Sequence, residues 1–348
     1  MSIIETGKED RMKTLKSVRF ILFIFLSAGF FFLDMPGMKA SGEPGRPVRV
    51  VSICFQGNDF SEILNIVDLE GAKGSDIIVL PETWRGDRLV ETLDGQTITE
   101  LSILAKKHNT YIISPIERRE GDNRFNSAIL IDRNGGIAGT YDKLYPYWNE
   151  FDLDPPVKPG IKDIPVFKTD FGIIGIAICY DANFPEVWQS LRDQGAEMVF
   201  WPSAYSAGTQ LQAYALLHHY YIVTSTWTKD CQVYDITGRR ILDENSGDIT
   251  IARITLDLDR GIYHENFNMD KLGNLLKAHG DEVEKELNMP REQWFVLRAI
   301  KPGISARSLA NKFGLEELTD YQDRSRKAID KRRGYSFTGK LYFSEDNQ

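Results

Sequence analysis

The chain has 348 residues, 42% apolar and 26% charged, with a formal net charge of −8. That length can bury one large core with additional segments, and the composition excludes a disordered or collagen-like chain. The acidic balance argues against nucleic acid as the main partner, and no G-x-x-x-x-G-K-[ST] or G-x-G-x-x-G pattern occurs, so no nucleotide cofactor is indicated.

The first 40 residues differ in character from the rest. Lys8, Arg11, Lys13, Lys16 and Arg19 precede an apolar run over residues 20–33. The run is shorter than the ~20 residues a membrane span needs. A basic flank, an apolar middle and then Pro36, Gly37 and small residues read as an export signal or a membrane anchor over residues 1–40. Cleavage after Ala40 places Met38 where a small residue is preferred, so an uncleaved anchor also fits. Translation from Met35 or Met38 would instead give a cytoplasmic protein. Export or membrane attachment is the expectation. Residues 41–47, with Gly42, Pro44, Gly45 and Pro47, read as a linker.

A domain over residues 48–272 opens on the β-branched strand Val48-Arg49-Val50-Val51-Ser52-Ile53. The apolar strand Ile77-Ile78-Val79-Leu80 runs through Pro81 into Glu82. Asn126-Ser127-Ala128-Ile129-Leu130-Ile131 and Asn134-Gly135-Gly136-Ile137 read as a hairpin leading to Gly139-Thr140-Tyr141-Asp142-Lys143. A buried strand over residues 172–178 ends in Cys179, before a helix that begins near Pro185.

Taken singly, each residue has an ordinary reading: Cys179 as a small buried hydrophobe, Glu82 as a solvated loop carboxylate, Lys143 as a surface lysine. Brought together they are the parts for nucleophilic attack on an amide or nitrile carbon. Glu82 would take the thiol proton, Cys179 would attack, and Lys143 with the Tyr180 N–H would stabilise the oxyanion.

The segments Val79-Leu80-Pro81-Glu82, Tyr141-Asp142-Lys143-Leu144-Tyr145-Pro146 and Ile178-Cys179-Tyr180-Asp181-Ala182-Asn183-Phe184-Pro185-Glu186 resemble, in order and spacing, the three catalytic blocks of the nitrilase superfamily, the carbon–nitrogen hydrolases. The resemblance covers about residues 48–272 and includes Val199-Phe200-Trp201-Pro202-Ser203-Ala204, similar to the family's strand after the cysteine helix. It implies an α/β fold, a four-layer αββα sandwich, with a Glu82-Lys143-Cys179 triad acting through a thioester. It also implies a second glutamate soon after the lysine, for which Glu150 is the candidate. Tyr147, Tyr180, Ser203 and Tyr205 fall where substrate would be contacted. The resemblance implies a homodimer or higher oligomer, and no cofactor is expected.

The chain departs from the family where many amidases carry an Arg-Ala-x-Glu-Asn helix. Here the stretch is Ala215-Leu216-Leu217-His218-His219-Tyr220-Tyr221-Ile222-Val223. Adjacent histidines on a helix point in different directions, and no Cys or carboxylate stands beside them at metal spacing, so no metal site is expected. Nitrile-cleaving members have Trp-Glu after the cysteine, whereas Tyr180-Asp181 resembles the amidase and carbamoylase branches. The expected activity is hydrolysis of a small linear amide or carbamoyl compound. The alternatives are a nitrilase, an N-acyltransferase, whose membrane-bound relatives have several transmembrane helices, and a silent scaffold, which would lack a triad member.

Cys54, Cys179 and Cys231 form no evident disulfide framework in the sequence, and a required free thiol fits a reducing compartment. Residues 273–348 read as a helical C-terminal extension, with helices over 275–286, 290–299 and 305–332. Residues 306–315 faintly resemble a helix-turn-helix, but packing on the sandwich or on a partner subunit is the simpler reading, and no nucleic-acid partner is expected.

Overall fold

The computed structural model describes residues 42–335. The segment read as signal or anchor lies outside the described residues, as do residues 336–348. No helix among the described residues is long and apolar enough to cross a membrane.

In chain order, β1 (Pro47–Phe55), α1 (Phe60–Ala72), β2 (Ile77–Val79), β3 (Val90–Glu91), α2 (Gln96–His108), β4 (Tyr111–Glu120), β5 (Asn123–Ile131) and β6 (Ile137–Asp142) build the first half. The second half has β7 (Val166–Lys168), β8 (Ile173–Ile176), α3 (Pro185–Asp193), β9 (Met198–Ser203), α4 (Gly208–His218), β10 (Tyr221–Thr226), β11 (Cys231–Tyr234) and β12 (Arg240–Glu244). Then β13 (Ile249–Asp257) returns to the first sheet, in antiparallel register with β1 from Pro47↔Asp257 to Phe55↔Ile249. The first sheet has the order β13-β1-β2-β4-β5-β6 with β3 beside β4, and the second the order β12-β11-β10-β9-β8-β7.

The layering follows from the period-2 alternation of strand side chains. Val50, Ile77, Val79, Ile113 and Leu130 point into one buried cluster together with Ile174, Ile176, Met198 and Phe200 of the second sheet. Their neighbours Val51, Ile53, Ile78, Ile112, Ile129 and Ile131 point the other way, onto Ile63 and Val67 of α1 and Ile98, Leu101 and Ala105 of α2. Val187, Trp188 and Leu191 of α3 and Leu211, Tyr214 and Ala215 of α4 cover the second sheet. The result is the αββα sandwich. Hydrogen bonds join the two sheets across its middle: Ser52 Oγ donates to the Thr224 carbonyl at 2.5 Å and Ser225 Oγ to the Ile53 carbonyl at 2.6 Å.

Three features differ from the sequence reading. First, Cys54 and Cys231 are joined in a disulfide between β1 and β11, with Cα atoms 6.1 Å apart. They lie 177 residues apart in the chain, and only the stacking of the two sheets brings them together. Second, the C-terminal extension holds helices α5 (Met269–His279), α6 (Ala306–Lys312) and α7 (Leu318–Arg333), but also strands β15 (Val283–Met289) and β16 (Trp294–Ala299) where helix was expected. With β14 (Gly261–His264) they form a small sheet, β14-β16-β15. Trp294, Phe295, Val296 and Leu297 of the central strand β16 are all buried, so tertiary burial on both faces overrides the helix-like charge spacing. Third, residues before β1 are tied to the domain: the Arg46 N–H donates to Asp257 Oδ1 at 2.8 Å, and its guanidinium pairs with Glu197.

The extension packs on the sandwich. Arg260 pairs with Asp235 at 3.2 Å and with Glu286 at 2.7 Å, and Arg192 pairs with Asp323 of α7 at 2.7 Å.

Candidate active site

Segments that follow three strands of the two sheets bring Glu82, Lys143 and Cys179 to one place. β2 stops at Val79, and the Leu80 N–H still donates to the Ile113 carbonyl, so Glu82 emerges just past the sheet edge. Lys143 follows β6 directly. Its N–H donates to the Asn126 carbonyl at 2.8 Å and its carbonyl accepts the Gly160 N–H at 2.9 Å. A Cβ built on Gly160 would come 2.3 Å from the Asp142 carbonyl oxygen, so this close approach requires glycine.

Cys179 opens a tight 3-10 turn over Cys179–Asn183. Its φ is 46°, in the left-handed region that a residue with a Cβ enters at a cost. Two bonds hold it there. Trp201 Nε1 donates to the Cys179 carbonyl at 3.1 Å, and Asp181 accepts the Ile178 N–H at 2.9 Å. The Asp181 carboxylate also accepts the Tyr141 hydroxyl at 2.7 Å and the Tyr145 N–H at 2.9 Å. One buried carboxylate thereby ties the cysteine turn to the segment that carries Lys143. Burial pushes Asp181 up to about 6, with the Ile178 N–H and Tyr141 opposing.

The charged groups converge. Lys143 Nζ is 2.8 Å from Glu82 Oε1 and 2.5 Å from Glu150 Oε2. Asn126 Nδ2 donates to Glu82 Oε1 at 2.8 Å and to Glu150 Oε1 at 2.9 Å. The second Glu82 oxygen accepts the Ala204 N–H at 2.9 Å, and Trp227 Nε1 holds the Glu82 carbonyl at 2.6 Å. Glu82, Lys143 and Cys179 are all buried. Burial alone would lower Lys143, but the carboxylates of Glu82 and Glu150 and the charge on Cys179 outweigh it, so the ammonium is held well above its ordinary range. Burial and the Glu82 charge push the Cys179 thiol well up. The resting pair is therefore a neutral thiol beside a permanent cation.

These groups open into a cavity of about 620 Å³. Of the residues expected to contact substrate, Tyr147, Tyr180 and Tyr205 line it. Ser203 does not: it is fully buried and its Oγ accepts the Tyr205 N–H at 3.0 Å, so it shapes the loop. Burial first, then the Cys179 charge, pushes the Tyr205 phenol up to about 12, with Asn183 opposing.

Asn126 and Glu117 were not singled out as site residues from the sequence, yet both line the cavity. They face each other in the β4–β5 ladder. The signal for Glu117 was its register: it sits an even number of residues from the inward-facing Ile113, at a position that a purely structural strand would fill with an apolar residue. Of the two histidines, His219 donates from Nδ1 to the Ile236 carbonyl at 3.1 Å, and His218 stacks on Tyr214 and meets Tyr220 at a tilt. Burial pushes His218 down to about 4, with Arg192 and His219 adding to the shift.

The sequence profile of the Carbon-nitrogen hydrolase family matches residues 57–261. The chain belongs to the carbon–nitrogen hydrolase family. Among relatives of this carbon–nitrogen hydrolase, the β-ureidopropionase of Arabidopsis thaliana is 35% identical over 160 residues, which is 42% of this chain and 39% of that enzyme, so the match spans well under half of that relative. The citrullinase of Francisella tularensis is 25% identical over 282 residues, 74% of this chain and 96% of that one. In fold, the carbon–nitrogen hydrolase resembles the amidase from Nesterenkonia sp. AN1, with a TM-score of 0.54 at 17% identity, covering 61% of this chain and 91% of that one. The carbon-nitrogen hydrolase from Helicobacter pylori G27 gives a TM-score of 0.56 at 16% identity, covering 61% and 90%.

Proposed function

We propose that this protein hydrolyses a C–N bond, other than a peptide bond, of a small linear amide or carbamoyl compound through a thioester on Cys179. The observation that carries this reading is the placement of Glu82, Lys143 and Cys179 in one cavity, with the Lys143 ammonium 2.8 Å from Glu82 Oε1. The relatives named for ureidopropionase, citrullinase and amidase activities support the substrate class.

Cys179 Sγ attacks the carbonyl carbon as Glu82 takes the thiol proton, which lets a neutral, buried thiol react without first building up thiolate. Negative charge that develops on the carbonyl oxygen meets Lys143 Nζ and the Tyr180 N–H. Glu82 then passes the proton to the leaving nitrogen, the C–N bond breaks, and ammonia or an amine departs. Water replaces it, gives a proton to Glu82 and adds to the thioester carbon. Collapse returns the proton to sulfur and releases the acid. Glu150 fixes Lys143 and faces the same space.

The compartment is part of the same proposal. The Cys54–Cys231 disulfide supports an oxidising location, in line with export or membrane attachment and against the reducing compartment that a free thiol alone would favour.

The test is ammonia release from a panel of short amides and carbamoyl compounds, with intact-mass detection of an acyl group. The expected result is release by the parent, none by Cys179→Ala, and an acyl adduct localised to Cys179. Turnover by Cys179→Ala equal to the parent's would remove the mechanism.

A further inference from the structure

Given the hydrolase reading above, the charge of the cavity wall is a basis for choosing among amide and carbamoyl substrates. Beyond the catalytic groups, two more carboxylates line the cavity, Glu117 and Asp87. Lys143 is the one Lys or Arg among the described lining residues, and both Glu82 and Glu150 already hold it. Among the described lining residues no further cation stands ready to receive a substrate carboxylate.

Glu117 is 3% exposed and Arg124 Nε donates to its Oε2 at 2.8 Å. Arg124 Nη2 donates to the Asp87 carbonyl at 2.5 Å. The guanidinium thus braces the two segments that bear these carboxylates, while Arg124 itself is not a lining residue. Burial pushes Glu117 up to about 7; Arg124 opposes, and the charges of Glu150 and Glu82 add to the rise. Four carboxylates, Glu82, Asp87, Glu117 and Glu150, stand against the single Lys143 ammonium among the described lining residues, so the wall is acidic and favours an arriving cation over an anion. The aromatic residues Tyr147, Tyr180 and Trp227 also line the wall, and aromatic rings can attract ammonium groups.

We propose that the substrate carries a protonated amine at the end opposite the scissile carbonyl, and that Glu117 and Asp87 receive that ammonium. These two residues select the substrate; they do not act on the reacting atoms.

Three probes matched in length decide the matter: δ-aminovaleramide, hexanamide and adipamic acid, with ammonia release read as kcat/KM for each. The expected order is cationic over neutral by about tenfold or more, with the anionic probe poorest. In Asp87→Asn and in Glu117→Gln the ratio of cationic to neutral kcat/KM falls about tenfold, mainly through KM. Asp87→Lys moves the preference towards adipamic acid. Glu117→Gln risks the fold because it leaves Arg124 buried without its partner, whereas Asp87 lies on an exposed loop and its variants keep the test open. Hexanamide or adipamic acid turned over as well as the cationic probe would overturn the inference. So would a ratio unmoved in Asp87→Asn. Release from none of the three probes, with no mass added to Cys179, would sink the hydrolase reading and this inference with it.

Discussion

Glu117 and Asn126 stand opposite each other across the β4–β5 ladder, and both side chains enter the cavity that holds Cys179. One hairpin thereby supplies a second buried carboxylate and the amide that spans Glu82 and Glu150.

Asn126 gives its one amide nitrogen to two carboxylates, so its loss removes two charge-assisted hydrogen bonds. Asn126→Ala is expected to lower kcat by about 10²-fold, at ~1.5–3 kcal/mol per bond with partial relaxation. Single-turnover rates of ammonia release check this, and a kcat within twofold of the parent would remove Asn126 from the positioning of the site.

Glu117 gives a pH signature in stability. Its folded value, about 7, lies above the 4.5 of an ordinary glutamate. A carboxyl raised on folding contributes stability fully at pH below its unfolded value, and that contribution is lost as pH rises through the folded one. Between pH 5 and 7 the parent should lose stability relative to Glu117→Gln, by at most about 3 kcal/mol. Burial of Glu117 drives this dependence; Arg124, which faces it, opposes, and the nearby Glu150 and Glu82 add to it. Denaturant titrations at several pH values, parent against variant, measure it; parallel curves would contradict the assignment.

Glu82→Gln keeps the size of the side chain but cannot take a proton. Acylation and deacylation should both fall, by 10² to 10⁴ on the order typical of general-base loss. Stopped-flow release of ammonia in the first turnover separates the two steps, and acylation at the parent's rate would exclude Glu82 as the base.

Gly160→Ala should push the Asp142 backbone, because the new Cβ has 2.3 Å to a carbonyl oxygen. A cost of roughly 1–3 kcal/mol in stability is expected. The shift moves the adjoining Lys143, so kcat should fall more than KM rises. Denaturation midpoints and steady-state kinetics on one preparation test both halves.

The disulfide closes a long loop between β1 and β11. Reduction, or the pair Cys54→Ala with Cys231→Ala, should cost about 2–4 kcal/mol and lower Tm by several degrees. Turnover at low temperature should survive, since Cys179 is the free cysteine. A midpoint indifferent to reductant would argue that the bond adds nothing to the fold.

The sequence was informative where chemistry and local pattern coincide. Glu82, Lys143 and Cys179 each follow a strand closely, and their order and spacing pointed to one family before any contact was visible. The helix beginning at Pro185 and the strand ending at Ser203 were legible for the same local reason. Ser203 misled because its position at a strand end says nothing about which way its hydroxyl turns, and the Tyr205 N–H claims it. The strands β15 and β16 were misread because β16 pairs with β14, some thirty residues earlier, and polar spacing in a short segment cannot reveal a distant partner.

The three sequence blocks, through their resemblance to the carbon–nitrogen hydrolases, by themselves determined the sandwich fold and brought Glu82, Lys143 and Cys179 forward as candidates, because motif residues and their spacing are written locally in the chain. Only the tertiary structure decided the Cys54–Cys231 bond, the Asn126 bridge and the place of Glu117 in the cavity. Each of these depends on strands distant in sequence, or on opposite arms of a hairpin, being brought into register, and register is set by packing of the two sheets rather than by any local run of residues.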